Sequence, residues 1–415
     1  MKISLAILPI FIFCQIPYFL FGQDTISTEY VQKISYEFHL SNGELTGTGA
    51  IFLKGEFDAS QFVLLGEYHG DARISEFTEA IIPELNKSGF RNFCLETGPV
   101  STQILSELVQ SDSVEKTLFD FYTEYYKRVQ DIPLPFFEGK EDAAFLQAAI
   151  DHKWRLFGID QEYYSGTLLL LERLHALDSR PDNERAYQSA VEFVIAEQIK
   201  DAKSKDYPLH ERLLDSKELE SYFAQLDQSN AQITITIEQL IQSWAIYSLY
   251  DINRCQNLDM RANHMKKEFT RNYQSLSRMD DQPRILIKMG ASHTQRGITS
   301  NAVYDIGNLV SELADMNGTQ DLNIGFMFRY IEDEEEQQGY FDNSEGGSKW
   351  LRERAPLMQQ GKKDKWVVID LRKLKEPMIN RELWVYPAIK NMIYDLDLII
   401  IPPMDREITL NYKTN

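Results

Sequence analysis

The stretch QFVLLGEYHG, residues 61–70, decides the fold class. Phe62 to Leu65 form a short continuous apolar run, as a strand buried on both faces requires. The chain then turns polar at once, with Glu67 and His69. Three later stretches repeat the pattern. Asn92–Leu95 leads into Glu96, Arg155–Ile159 into Asp160, and Arg284–Met289 into Gly290, Ala291, Ser292 and His293. Between the first two runs, Ile74, Phe77, Ile81 and Leu85 recur at helical intervals. Strands alternating with helices predict an α/β fold with a mostly parallel central sheet and helices on both faces. Strand-like runs return at Trp366–Leu371 and Leu396–Ile401.

Outward from these strands, two insertions read as helical. Residues 100–150 are interrupted at Pro133 and Pro135. Residues 165–275 carry Leu168–Leu174, then Ile235, Leu240, Ile241, Trp244 and Tyr247. Together they are expected to form a helical cap over one end of the sheet. Residues 24–60 read as an N-terminal β-extension: ISYEFHL and GTGAIFL flank SNGELT, where Asn42-Gly43 marks a hairpin turn. The acidic segment 332–348 reads as an exposed loop, so that 61–415 forms one domain with these insertions. Residues 1–23, MKISLAILPIFIFCQIPYFLFGQ, have Lys2 and then no charge until Asp24. This is the pattern of a signal peptide cleaved near 22–24, which predicts a periplasmic or secreted protein. Pro9 and Pro17 break the apolar run, which argues against a membrane anchor. No other stretch approaches the roughly 18 apolar residues of a membrane span, so the mature chain is expected to lack one.

Composition narrows the function. The 415 residues hold 43 Lys plus Arg against 63 Asp plus Glu, a formal net charge of −20. A large basic surface for nucleic acid is therefore not expected. Apolar residues at 43% suffice for a packed core and argue against disorder. Three cysteines cannot make a disulfide framework. Cys94, inside an apolar run, reads as a buried thiol, although a single pair with Cys255 stays open.

Ligands of open α/β sheets bind at the carboxyl ends of parallel strands. Glu67, His69, Glu96, Asp160 and His293 all fall there, and only seven histidines occur in the chain. Two arrangements are open. In one, Glu67 or Glu96 orients a histidine that deprotonates water for attack on an acyl carbonyl, and the other histidine or an arginine holds the oxyanion. His69 is then the expected general base. In the other, Glu67, His69, Glu96 and His293 hold a divalent metal, Zn or Mn, that acidifies water. The chain lacks HExxH, G-x-S-x-G, P-loop and Rossmann signatures, so hydrolysis by activated water leads among enzyme classes. Arg254 and Arg261, about two helical turns apart, share a face and are candidates to support the site by holding a carboxylate or oxyanion. Arg73 and Arg296 follow the two histidine motifs. His264 and His210 read as surface helix residues.

The run LLGEYHGDARISEFTEAIIPELNKSGFRNFCLETGP resembles the opening of the erythromycin esterase and ChaN-type superfamily, which includes the Tiki proteases. ILIKMGASHTQRG resembles that family's second histidine strand, and Asp160 after LFGI fits its third strand. NRCQNLDMRANHMKK, with Met260 and Asn263, resembles a helix with an R-x-x-x-M-x-x-N pattern. The resemblance covers roughly residues 61–99, 154–162 and 250–300. It implies an α/β core with a helical cap and a cleft lined by Glu67, His69, Glu96 and His293, acting on a small-molecule or peptide substrate. Esterase members space the first pair G-E-x-x-H-G. Here Glu67-Tyr68-His69 is one residue shorter, closer to the ChaN-type pattern, which puts macrolide specificity in doubt. ChaN-type relatives imply haem binding as the rival reading, with Tyr68 as the candidate axial ligand. A catalytically silent scaffold is the third.

Overall fold

The computed structural model describes residues 24–413, apart from 42, 112, 205, 334, 335 and 337. The expected signal segment and Asn42 lie outside the described residues. No described helix is long and apolar enough to cross a membrane.

The central sheet has nine strands: β1 (Ser35–Ser41), β2 (Glu44–Thr46), β3 (Phe62–Glu67), β4 (Asn92–Leu95), β5 (Arg155–Gly158), β6 (Ile285–Gly290), β7 (Asp321–Phe326), β8 (Trp366–Asp370) and β9 (Leu398–Ile401). Their spatial order is β2-β1-β8-β9-β7-β3-β6-β4-β5. From β9 to β5 every pairing is parallel. β8, β1 and β2 add an antiparallel flank. The register sets Glu67 beside Gly290, and both Leu65 and Leu95 beside Lys288. The ends of β3, β4 and β6 therefore stand level.

Side chains alternate between the faces of these strands. Val63, Leu65, Phe93, Leu95 and Leu286 pack with the helices Ala72–Lys87 and Lys140–Asp151 on one face. Phe62, Leu64, Cys94, Ile285, Ile287 and Met289 pack with Arg254–Leu276 and Ile306–Asn317 on the other. Helices on both faces are what continuous apolar strands demand. Cys94 is a buried free thiol and Cys255 is free and exposed. The cap consists of the helices Thr167–Leu177, Glu184–Asp201, Leu209–Leu214, Lys217–Gln225 and Ala231–Ser248.

Three elements differ from the sequence reading. GTGAIFL is no strand: Thr48–Ala59 is a helix that buries Ala50, Leu53 and Phe57. The chain leaves β2 through Gly47 at φ 101, a turn that only glycine makes without strain. The apolar residues beyond it recur at helical spacing, which a short alternating run hides. β7 was not anticipated, because Asn323 and Gly325 interrupt its apolar sequence. Asn323 is buried and its amide donates to the Thr294 carbonyl. A β-carbon at Gly325 would press on Leu396. Within the acidic segment, Tyr340–Asp342 pairs back onto Tyr330–Glu332 as a short hairpin.

Candidate active site

The level strand ends bring four expected residues into one cluster. Glu67 ends β3, and His69 stands two residues beyond it. His69 Nδ1 lies 3.2 Å from Glu67 Oε1, and His69 Nε2 lies 3.7 Å from Glu96 Oε2. With Nδ1 against Glu67, the ring turns its Nε2 toward Glu96. Phe136 stacks on the imidazole with ring centroids 4.0 Å apart. His293 occupies the other side. Its Nδ1 lies 2.7 Å from Asp305 Oδ2 and its Nε2 3.4 Å from Glu96 Oε1. Two carboxylate–histidine pairs thus approach one carboxylate, Glu96.

The carboxylates are fixed by cations and backbone. Lys288, buried on β6, bonds Glu67 Oε2 with its ammonium and sets its charge over the Phe145 ring. Arg261 donates to Glu96 Oε1 at 2.9 Å and grips Asp160 through Nε at 2.9 Å and Nη2 at 2.5 Å. The Gly290 N–H donates to Glu96 Oε2. The β-carbon of any other residue at position 290 would come within 3.1 Å of the His69 ring, so glycine keeps this approach open.

These contacts set the charges. Burial alone would raise the Glu67 carboxyl, but Lys288 and His69 outweigh it and hold it at about 2. Burial depresses His69, yet the bond to Glu67 and the charge of Glu96 bring it above its ordinary value. His293 is likewise raised, by Glu96 and Asp305 against burial. Arg261 holds Asp160 low despite its burial.

Glu67, His69 and Glu96 each offer a ligand atom, all within 4.8 Å of one another, the spacing of a metal site. The donor set fits a divalent cation poorly. Both carboxylates are already neutralised at bonding distance by Lys288 and Arg261. A metal would have to displace these fixed charges or sit beside them, at a cost in repulsion.

A cleft of about 220 Å³ opens beside Glu96, Asp160 and Arg261. Phe136, Tyr163, Tyr164, Tyr247 and Tyr250 line its wall, with Arg254 and Asn257. Residues 404–411 brace the cluster from outside. Ile408 N–H donates to the Gly70 carbonyl at 2.9 Å, Arg73 Nε to Met404 at 2.7 Å, and Asn411 N–H to Glu138 at 2.7 Å. This tail ties the His69 loop to the Phe136 loop.

No protein-family model matches the chain, and no curated protein matches it significantly by sequence. Solved structures do. The chain shares its fold with an erythromycin esterase. That enzyme, EreC, seen as a mutant in its open conformation, is 13% identical with a TM-score of 0.54, over 87% of this chain and 95% of its own. A Bacillus cereus protein is 14% identical at a TM-score of 0.53, covering 92% and 98%. A succinoglycan biosynthesis protein is 14% identical at 0.52, covering 92% and 97%. At these identities the likeness extends to the fold alone.

Of the expected residues, Glu67, His69, Glu96 and His293 meet directly, and Asp160 joins them through Arg261. Arg254 stands on the cleft wall and bonds none of them. Arg73 and Arg296 serve elsewhere: Arg73 bonds Glu76 and the Met404 carbonyl, and Arg296 pairs with Asp321 and Asp397. Tyr68 is half exposed, its ring edge-on to Phe328. His264 is no surface residue. It is buried, with Nε2 3.2 Å from the Asp160 carbonyl oxygen. His210 is partly buried and stacks on Tyr247. Met260 and Asn263 line a separate surface depression with His264.

Sequence reasoning missed Lys288 and Asp305. Lys288 carried a signal, since a lysine inside a buried apolar run needs a partner. Asp305 lies twelve residues beyond His293. It caps the helix Ile306–Asn317 by accepting from the Ile306 N–H with its other oxygen, and so reads in sequence as a simple cap.

Proposed function

We propose that the chain hydrolyses an ester or amide bond with water activated by His69. The observation that carries this reading is the orientation of His69. Its Nδ1 lies against a buried Glu67 that Lys288 holds ionised, and its Nε2 is turned to Glu96, a residue of the cleft wall. This base-and-orienter geometry is the general arrangement for activating a nucleophile.

In the first step His69 Nε2 takes a proton from water while the oxygen bonds to the acyl carbon. In the second the acyl–oxygen or acyl–nitrogen bond breaks, and the leaving group takes a proton. His293 supplies a donor for it from the opposite side, since Asp305 and Glu96 favour its protonated form. Glu67 does not compete for the proton, because Lys288 keeps its carboxyl near 2. Lys288 and Arg261 already pair with Glu67 and Glu96, so the step is proposed without a metal. The esterase among the structural neighbours supports the same class of reaction. Residues 1–23 are read as an export signal, which the N-terminal sequence of the secreted protein tests.

The deciding experiment is a panel of chromogenic esters and anilides with the chelator-treated protein, wild type against His69→Gln. Turnover that survives chelation and is lost in His69→Gln is expected. Equal turnover in both proteins overturns the role of His69, and turnover restored only by added metal overturns the metal-free reading. A Soret shift saturating at one haem per chain and lost in Tyr68→Phe, without turnover, assigns the fold to haem binding instead.

A further inference from the structure

The two arginines of the cleft differ in how they are employed. Arg261 is committed to Asp160 and Glu96. Arg254, seven residues earlier on the same helix, has no carboxylate partner among the described residues. Its guanidinium carbon lies over the Tyr250 ring, 4.1 Å from the centroid, and Nη1 donates to Asn257 Oδ1 at 2.9 Å. Asn257 is buried and fixed in turn, donating from Nδ2 to the Ile246 carbonyl at 2.7 Å. A guanidinium has five N–H donors, so most of its fork is unspent. In a chain with 63 acidic against 43 basic residues, an oriented arginine without an acid stands out.

Position and shape complete the case. Seven helical residues span about 10 Å, so Arg254 sits at the far end of the cleft from Arg261 and Glu96. The wall between is built from tyrosines, with Tyr163 and Tyr164 rings 4.3 Å apart and Tyr247 edge-on to Tyr164. Tyrosine and arginine presented together on rigid supports are typical recognition groups. A volume of about 220 Å³ is below the roughly 300–1,000 Å³ of sites for drug-sized ligands, so a slim substrate fits and a bulky one does not.

We infer that Arg254 selects substrates carrying a carboxylate at the end remote from the bond cleaved. The planar fork takes a carboxylate side-on, and the bond to buried Asn257 with the Tyr250 ring beside it orients the fork. The inference rests on the hydrolase reading for its reaction but not for its recognition step, and the two are separable by experiment.

The test compares the 4-nitrophenyl monoester of suberic acid with its methyl ester, which differ in one charge. Wild type is expected to favour the anionic ester at least tenfold in kcat/KM. Arg254→Gln should lower that ratio about tenfold, chiefly through KM, and Arg254→Lys should recover part of it. Turnover of both esters with a ratio that does not respond to Arg254 overturns the inference and leaves the hydrolase reading standing. If neither ester turns over, the hydrolase reading falls, and binding of the corresponding anilides decides the inference. Tighter binding of the anionic anilide, lost in Arg254→Gln, upholds it, whereas equal binding overturns it.

Discussion

The two histidines share one carboxylate, yet they are housed differently. The His69 side chain is 37% exposed and that of His293 6%. His69 stands on a loop, covered by Phe136 and braced by the tail at 404–411. His293 lies in the short helix Ala291–Thr294, backed by the cap residue of the next helix. Both rings are held at Nδ1 by a carboxylate, so the orientation device is the same. The difference is access. A base must meet water and substrate, whereas a proton donor for a leaving group needs only one line of approach. In the proposed reaction, the exposed ring is accordingly the one that meets water and the buried ring the one that serves the leaving group.

The sharpest way to break this assignment is to remove each ring in turn. His69→Gln is expected to cut kcat/KM by about 10²–10⁴-fold, the range for a lost general base. His293→Gln should cost less on an ester with a good leaving group than on an amide, which needs the proton more. Equal losses on both substrates, measured by steady-state kinetics, would remove the distinction between the rings.

Next in size is the ion pair beneath His69. Lys288→Met leaves Glu67 buried without its cation and should destabilise the protein by about 3–5 kcal/mol in urea unfolding. The double variant Glu67→Gln with Lys288→Met should recover much of that loss, since it removes both charges. The sign with pH follows from Glu67. A carboxyl held at about 2 against an ordinary 4.5 contributes stability above pH 4.5, lost as pH falls toward 2. Lys288→Met should accordingly move acid unfolding to higher pH.

A subtler test concerns His69 itself. Its raised pKa places the acid limb of kcat/KM above 6.5, with activity lost as pH falls through it. Glu67→Gln should move that midpoint downward, as the ring loses its charged partner. A midpoint that stays put would assign the limb to another group.

The smallest expected effect belongs to Phe136→Ala. Stacking contacts of this kind contribute roughly 0.5–1.5 kcal/mol. Alanine keeps the strain of the backbone at φ 74 while removing the ring. A loss in kcat/KM without a loss in thermal stability would show that Phe136 positions His69 rather than the fold.

Much of this arrangement was legible in sequence because buried strands end in polar residues at fixed places. Glu67 ends its strand, Glu96 follows directly on one and Asp160 lies two residues beyond another, and register brings those ends level. The cations were less legible for opposite reasons. Lys288 hides in an apolar run, while Arg261 lies among many charged residues on one helix and only its partners mark it out. Asp305 reads as a cap because it is one, and its second oxygen finds His293 only in three dimensions. GTGAIFL was misread because a short apolar run satisfies strand and helix alike.

The antiparallel flank has a consequence for folding order. β1 joins the sheet by pairing with β8, and Lys365 reaches Glu37 across 328 positions of chain. Closing so long a loop costs entropy before any contact rewards it, and non-local pairing of this kind is slow. The parallel strands that carry Glu67, Glu96 and Gly290 lie on the other half of the sheet. Under native conditions this flank should exchange its amide hydrogens sooner than β3 and β6, opening as a separate unit while the rim that carries the Glu–His cluster stays closed.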